Sequence, residues 1–521
     1  MGPRGPARRR HRAGRCRVSP ADDRRDASGR QRGAARSQGR TQRSAAAPSQ
    51  RRRGSDPART AAYDVLRSVD GSDAYANLVL PPLLRERRIT GRDAAFATEL
   101  AYGTLRLRGR YDAVIAQAAN REVGTIDAPA LDVLRLGAHQ LLGMRVPAHA
   151  AVSETVGLAR EQLGTGPSQF VNAVLRTVGR SSPHEWEQRI RDSAGDDELA
   201  QLAVVQSHPL WVVRALREAL VGNGRDAGEI GALLAADNAA PRVTIVARPG
   251  LAGTDEVVED AGDGVGTVGA LAPTAVILSG GDPAALDSVR DGRAGVQDEG
   301  SQLVTLALTD APLDGPDERW LDLCAGPGGK AALLAAVAGE RGARIVANEV
   351  QPHRTRLVEQ ALRAVPADAV EDVRTGDGRT VGTDEPGAYD RVMVDAPCTG
   401  LGALRRRPEA RWRRTPADLA SLSALQRDLL VSALQAVRPG GVVAYVTCSP
   451  HLVETQLVVK DAVRAVGRLG VEVDHLDTPA VVRAIAPGGA VDLDDTRTDV
   501  QLWPHVHGTD AMHLTLLRRT R

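Results

Sequence analysis

Residues 321–330 read Leu-Asp-Leu-Cys-Ala-Gly-Pro-Gly-Gly-Lys: an apolar strand that runs into a glycine-rich turn and opens a helix. Glycines at 326, 328 and 329 let the backbone approach a nucleotide-like ligand closely. A Walker A loop would need Gly at 324 and Ser or Thr at 331, but the chain has Cys324 and Ala331. A dinucleotide loop prefers G-x-G-x-x-G, and the spacing here is G-P-G-G. The next apolar run closes on Glu349, an acid placed to bind ribose hydroxyls. Gly376-Asp377-Gly378 follows a third run and offers a carboxylate to an adenine amino group. A glycine turn alone also serves as a plain strand-to-helix connection. The two acids at successive strand ends move the reading toward an adenosine cofactor.

Working outward, apolar runs at 320–324, 344–348, 391–394 and 442–446 alternate with helical patterns. That alternation predicts a doubly wound parallel sheet over 311–521, with ligands at the carboxyl ends of its strands. Residues 57–183 carry helical periodicity: Ala62, Val65, Leu66 and Val69; Leu131, Leu134, Ala138 and Leu141; Val152, Val156, Ala159 and Leu163; Val171, Val174, Leu175 and Val178. Thr90-Gly-Arg-Asp93 reads as a capping box. Residues 184–310 hold a helix near 210–220, a β-like run at 242–247 and glycine-rich turns at 250–270, so linker helices and a small α/β subdomain are expected. The chain is thus multidomain, an all-α part followed by an α/β part.

The 521 residues sum to +2, yet residues 1–53 carry 17 Arg and three Asp, a surplus of +14 that leaves −12 for the rest. Residues 1–56 have almost no large apolar side chains and are expected to be a disordered basic tail. Such an arm suits a polyanionic partner, and a translated GC-rich upstream region would look the same. There is no secretory apolar stretch and no run long enough to span a bilayer, so a cytoplasmic protein without membrane association is expected.

Four cysteines occur, Cys16, Cys324, Cys398 and Cys448, with no C-x-x-C pair and no histidine cluster at ligand spacing. Neither disulfides nor a metal site are expected, which frees the thiols for chemistry. Asp395-Ala-Pro-Cys398 and Thr447-Cys448-Ser449 each follow an apolar strand, so both thiols belong at the sheet edge that carries the glycine turn. Either one alone would be read as a small buried hydrophobe. Residues 405–414 hold six Arg and Trp412. A solvated charge run is one reading. The position beside the thiols favours another, in which Arg405, Arg406, Arg407, Arg411, Trp412 and Arg413 bind RNA through phosphate pairing and base stacking.

LDLCAGPGGK, GDGR at 376–379, DAPCTG at 395–400 and TCSP at 447–450 together resemble the bacterial 16S ribosomal RNA cytosine-5 methyltransferases of the Nol1/Nop2/Sun family, in its RsmB (Sun/Fmu) type. The resemblance runs from about residue 57 to the C-terminus. AVSETV at 151–156 and FVNAVLR at 170–176 are similar to the NusB-like RNA-binding domain of that type. It implies a Rossmann-like methyltransferase domain at 311–521, S-adenosyl-L-methionine as cofactor and a flipped or single-stranded cytosine of 16S ribosomal RNA as substrate. Cys448 would be the nucleophile and Cys398 the residue that assists product release. Cys324, Ala325, Gly326, Pro327, Gly328, Gly329, Lys330, Glu349, Asp377 and Asp395 would contact the cofactor.

The chain departs from the pattern at Glu349, where Asp is common, at Thr399, where Ser is commoner, and at Asp510-Ala-Met-His513, where Gly and Phe are usual. A monomer is expected. The alternatives are a non-catalytic NusB-like antitermination protein, a methyltransferase for another RNA, and a small-molecule methyltransferase or dehydrogenase. The last two need neither the helical module nor paired thiols.

Overall fold

The computed structural model describes residues 56–72 and 74–521. The expected disordered tail lies outside the described residues except for Asp56.

Among the described residues, seven α-helices run from Pro57–Ser72 to Thr165–Val178. Their apolar stripes meet in one core in which Leu66, Leu100, Leu134, Val171 and Leu175 are buried. Inside it Arg135 is ion-paired with Asp112 at 2.7 Å, Asp132 at 2.9 Å and Asp70 at 3.2 Å, which ties three helices around one cation. The capping box expected at Thr90 does not form, because Thr90 makes no side-chain cap bond. Asp93 is one methylene shorter than the Glu that such a box uses. The box appears instead at Ser182 and Glu185, which begin the helix Pro183–Asp192.

Beyond the linker helices, β1 (Val243–Ala247), β2 (Gly266–Val268), β3 (Ala275–Leu278) and β4 (Ala294–Val296) form a small antiparallel sheet in the order β2-β3-β1-β4. The stretch expected as turns at 250–270 contains the helix Thr254–Ala261, held by fully buried Val257. Glycines bracket it at 253 and 262, and two turns are too short to show a period.

The second sheet contains β5 (Arg319–Asp322), β6 (Arg344–Glu349), β7 (Val370–Thr375), β8 (Tyr389–Asp395), β9 (Val437–Thr447), β10 (Val473–His475), β11 (Asp499–Gln501) and β12 (His513–Arg519). Its order is β10-β12-β9-β8-β5-β6-β7, and β11 also pairs with β12. The five strands β5 to β9 are parallel, as expected, and β10 to β12 add an antiparallel edge. β5, β6, β8 and the second half of β9 are almost wholly buried, which explains their continuous apolar reading, whereas β7 lies at the sheet edge and is half-exposed. No helix among the described residues is long and apolar enough to cross a membrane.

The helical and sheet parts meet through the linker. Val212, Val213, Leu216, Leu220, Leu233 and Leu234 pack on Leu401, Leu404, Ala410 and Trp503. Arg411 locks this junction. It is 0% exposed, and its guanidinium donates to the carbonyls of Arg106 at 2.8 Å, Ser207 at 3.2 Å and Asp237 at 2.8 Å and to Asn238 Oδ1 at 2.7 Å. Removing it leaves four acceptors without a donor in a dry junction. Arg411→Ala is therefore expected to destabilise the protein by roughly 3 kcal/mol. Chemical denaturation would check this, and a wild-type midpoint would count against the lock.

Candidate active site

β8 and β9 lie side by side in parallel, with Asp395 opposite Val446, so the loops that leave them start from neighbouring points. The amide of Ala396 donates to the Val446 carbonyl at 2.9 Å, and Gly402 N donates to the Cys448 carbonyl at 2.9 Å. The two loops therefore stay together past the strands, and Cys398 Sγ and Cys448 Sγ stand 3.3 Å apart.

Glu454 sets that distance. This fully buried side chain accepts from Thr399 N at 2.7 Å and from Ser449 Oγ at 2.6 Å, each next in sequence to one of the cysteines. Thr399 Oγ1 and Gln426 Nε2 complete the set, and Gln426 also donates to the Pro397 carbonyl at 2.8 Å. Sequence reading passed over Glu454. Its only signal was an acid six positions past Cys448, among the polar neighbours His451, Thr455 and Gln456. The Thr399 hydroxyl does the work a Ser hydroxyl would do, so that departure leaves the clamp intact.

The two thiols differ electrostatically. The Cys398–Cys448 sulfur contact, in which either atom can donate, acts to favour the Cys448 thiolate. Burial and Asp395 oppose it, Lys330 and Arg407 reinforce it, and the net direction for Cys448 is below the ordinary thiol value. The same contact, then burial, drives Cys398 well above it. Burial likewise raises Cys324, the third described thiol, which leaves it a poor nucleophile. Lys330 Nζ bonds Asp395 at 2.8 Å; burial opposes its charge, but the carboxylate prevails and Lys330 is held above its usual value.

The glycine turn lies between β5 and the helix Gly329–Glu340. A Cβ on Gly326 would meet Glu349 Oε2 at 2.2 Å, so only glycine fits beneath that acid. Gly328 has a φ of 110°, a left-handed conformation that favours glycine. Glu349 is buried, accepts from Gly326 N at 3.1 Å and Gln351 N at 2.9 Å, and has Arg354 Nη1 at 3.3 Å. Asp377 is half-buried and paired with Arg379 at 2.6 Å. Among the buried acceptors here that lack a donor are Asp322 Oδ2 and Gln297 Oε1, the latter 4.0 Å from where a Gly329 Cβ would lie. Asp322 is pushed up to about 7 by burial and then by Asp395. Neither had been singled out in the sequence. Gln297 could not be, because it arrives from the small sheet.

The expected RNA-binding run is largely corrected. Arg405 donates to the Gly508 carbonyl at 2.8 Å and to Asp510 at 3.2 Å, and Arg406 pairs with Asp510 at 3.1 Å and with Asp298. Arg411 is the junction lock, and Arg413 donates to the carbonyls of Val69 at 2.9 Å and Ala74 at 2.6 Å. Trp412 packs where a Cβ on Gly109 would lie 2.5 Å from its ring. These groups are already spent on holding domains and loops together. Arg407 alone of the six is exposed. Asp510, which looked like a departure in a pocket wall, is the buried partner of Arg405 and Arg406.

The arrangement can therefore generate a thiolate at Cys448, stabilise it with a neighbouring S–H and a lysine, and present it beside a ligand loop. Iodoacetamide at pH 7.5 is expected to label Cys448 before Cys398, with a rate-versus-pH midpoint below that of an ordinary thiol. Glu454→Gln turns an acceptor into a donor and should slow this labelling roughly tenfold and move its midpoint upward. Peptide mapping that found Cys398 labelled first would contradict the assignment of the thiolate.

Comparison with known proteins agrees with this geometry. A family model described as 16S rRNA methyltransferase RsmB/F matches residues 310–518, and the NusB family model matches residues 56–180. A putative methyltransferase of Mycobacterium tuberculosis is 53% identical over 469 residues, covering 90% of this chain and 98% of the relative. The ribosomal RNA small subunit methyltransferase B of Pseudomonas putida is 31% identical, covering 77% of this chain and 88% of the relative. The crystal structure of PH0851 shares the fold, with a TM-score of 0.72 at 21% identity over 89% of this chain and 98% of that one. The two matched models, the full-length relatives and the paired strand-end loops converge: the chain belongs to the RsmB/F family of S-adenosylmethionine-dependent ribosomal RNA methyltransferases.

Proposed function

We propose that the protein methylates carbon 5 of a cytosine in 16S ribosomal RNA through a covalent adduct between Cys448 and carbon 6 of the base. The observation that carries this reading is the 3.3 Å between the sulfurs of Cys398 and Cys448, one favoured as thiolate and the other as thiol. The named activity of the Pseudomonas putida relative supports small-subunit ribosomal RNA as the substrate.

Carbon 5 of cytosine is a weak nucleophile. Addition of the Cys448 thiolate to carbon 6 makes carbon 5 enamine-like and able to take a methyl group. S-adenosylmethionine supplies that group as an electrophilic methyl on sulfur. The carbon 5 proton is then lost to solvent, the carbon 6 to sulfur bond breaks, and Cys448 leaves as a thiolate. The Cys398 S–H stands within hydrogen-bond reach of that leaving sulfur and lowers the barrier to release. The residues at the turn fit the cofactor. Cys324 to Lys330 would hold it, Glu349 would accept from ribose hydroxyls and Asp377 from the adenine amino group, and the unpaired Asp322 Oδ2 and Gln297 Oε1 await donors. Asp395, fixed by Lys330, would face the base edge or the cofactor.

Cys448→Ala should abolish methylation. Cys398→Ala should still permit attack but stall release, and so accumulate an RNA adduct that survives denaturing electrophoresis. Adducts in the Cys448 variant instead would reverse the two roles. Mass-spectrometric mapping should find one 5-methylcytosine missing from 16S ribosomal RNA in cells lacking the gene; unchanged methylation would sink the proposed target.

A further inference from the structure

Arg407 and Tyr75 come from parts of the chain far apart in sequence, yet they meet. Arg407 is anchored near the nucleophile by a short backbone path. Gly402 N bonds the Cys448 carbonyl, and Arg407 N closes a turn on the carbonyl of Ala403, both at 2.9 Å. Its positive field reaches Cys448. Arg407 is exposed, and among the described residues it has no carboxylate within ion-pair distance. Its charge is felt by Glu409 and Cys448 but closed by no ion pair, so it is available for a phosphate.

Tyr75 belongs to the helical part, at the N-cap of Ala76–Glu86. The guanidinium carbons of Arg407 and Arg413 both lie 5.1 Å from its ring centroid. The segment that carries those arginines also holds the backbone on either side of Tyr75. Arg413 donates to the Ala74 carbonyl at 2.6 Å, and Glu409 Oε1 accepts from Ala76 N at 3.0 Å. The ring is therefore fixed, and a long arginine side chain that would otherwise sample many rotamers is given one surface to lie on.

We infer that Tyr75 is a positioning residue by which the helical part aims Arg407 at an RNA phosphate beside the reacting cytosine. This rests on the proposed RNA reaction and adds to it a role for the helical part: it completes the substrate site as well as adding surface elsewhere. Bracing raises affinity because the ordering of Arg407 is already done before RNA arrives.

The test is equilibrium binding of an unmodified 16S ribosomal RNA transcript to the full chain across a salt series, with melting temperature and S-adenosylmethionine affinity measured alongside. Arg407→Ala should weaken RNA binding roughly threefold to tenfold and reduce the slope of log affinity against log salt by about 0.7 to 0.9, one phosphate contact. Tyr75→Leu should reproduce most of the affinity loss with Arg407 still present, Tyr75→Phe should restore it, and the double variant should be no worse than Arg407→Ala alone. Arg407→Lys, which keeps the charge but not the planar stack, should keep the slope and lose affinity; this variant decides the matter if Tyr75→Leu does not fold. An unchanged slope in Arg407→Ala, wild-type affinity in Arg407→Lys, or a Tyr75→Leu protein that melts early but binds normally would overturn the inference. None of these readouts needs methyl transfer. With 5-methylcytosine scored separately on the same transcript, a wrong cytosine assignment would show as wild-type binding without that product, and a wrong role for Tyr75 as unchanged binding in the variants with the product still formed.

Discussion

Glu454 is an acid with no solvent around it, and everything at the reaction centre depends on how its oxygens are satisfied. They take hydrogen bonds from the residue after Cys398, the residue after Cys448 and Gln426 on the intervening helix. A buried carboxylate is costly unless its acceptors are filled, so its four donors cannot drift without a penalty shared by all of them. The two loops are in this way held to one relative position. The sulfur pair inherits that position, and with it the contact that favours a thiolate at Cys448.

The second constraint is the junction. Arg411 stitches the carbonyl ends of three different segments, and Arg405, Arg406 and Arg413 fasten loops on either side. An arginine-rich stretch in a family that handles RNA invites an electrostatic reading, yet most of these cations are consumed internally. Guanidinium groups suit this role because each offers five donors in a rigid plane and so can close several carbonyls at once. The exposed remainder, Arg407, stands where the junction and the thiol loops come together.

The sheet carries these two constraints to one place. Five parallel strands deliver Asp322, Glu349, Thr375, Asp395 and Thr447 to the same edge, so the strand-end acids and both cysteines emerge as neighbours although 126 positions separate Asp322 from Cys448. The antiparallel addition of β12 beside β9 then seals the strand that leads to Cys448, which would otherwise be a sheet edge.

The sequence by itself determined the layer order, the parallel strands, the glycine turn with its acids and the pair of strand-end thiols. Each is a local pattern: an apolar run, a residue that alone tolerates a backbone angle, or a side chain next to a strand end. It erred at the helix Thr254–Ala261, too short to show a period, and at Thr90, where Asp93 is too short for the box. Only the tertiary structure decided that Glu454 clamps the two loops, that Gln297 reaches the turn from another sheet, and that Arg411 is interior while Arg407 is not. Partnership and burial are relations between distant segments. An arginine looks the same in a list of residues whether carbonyls or water surround it, and only packing chooses between them.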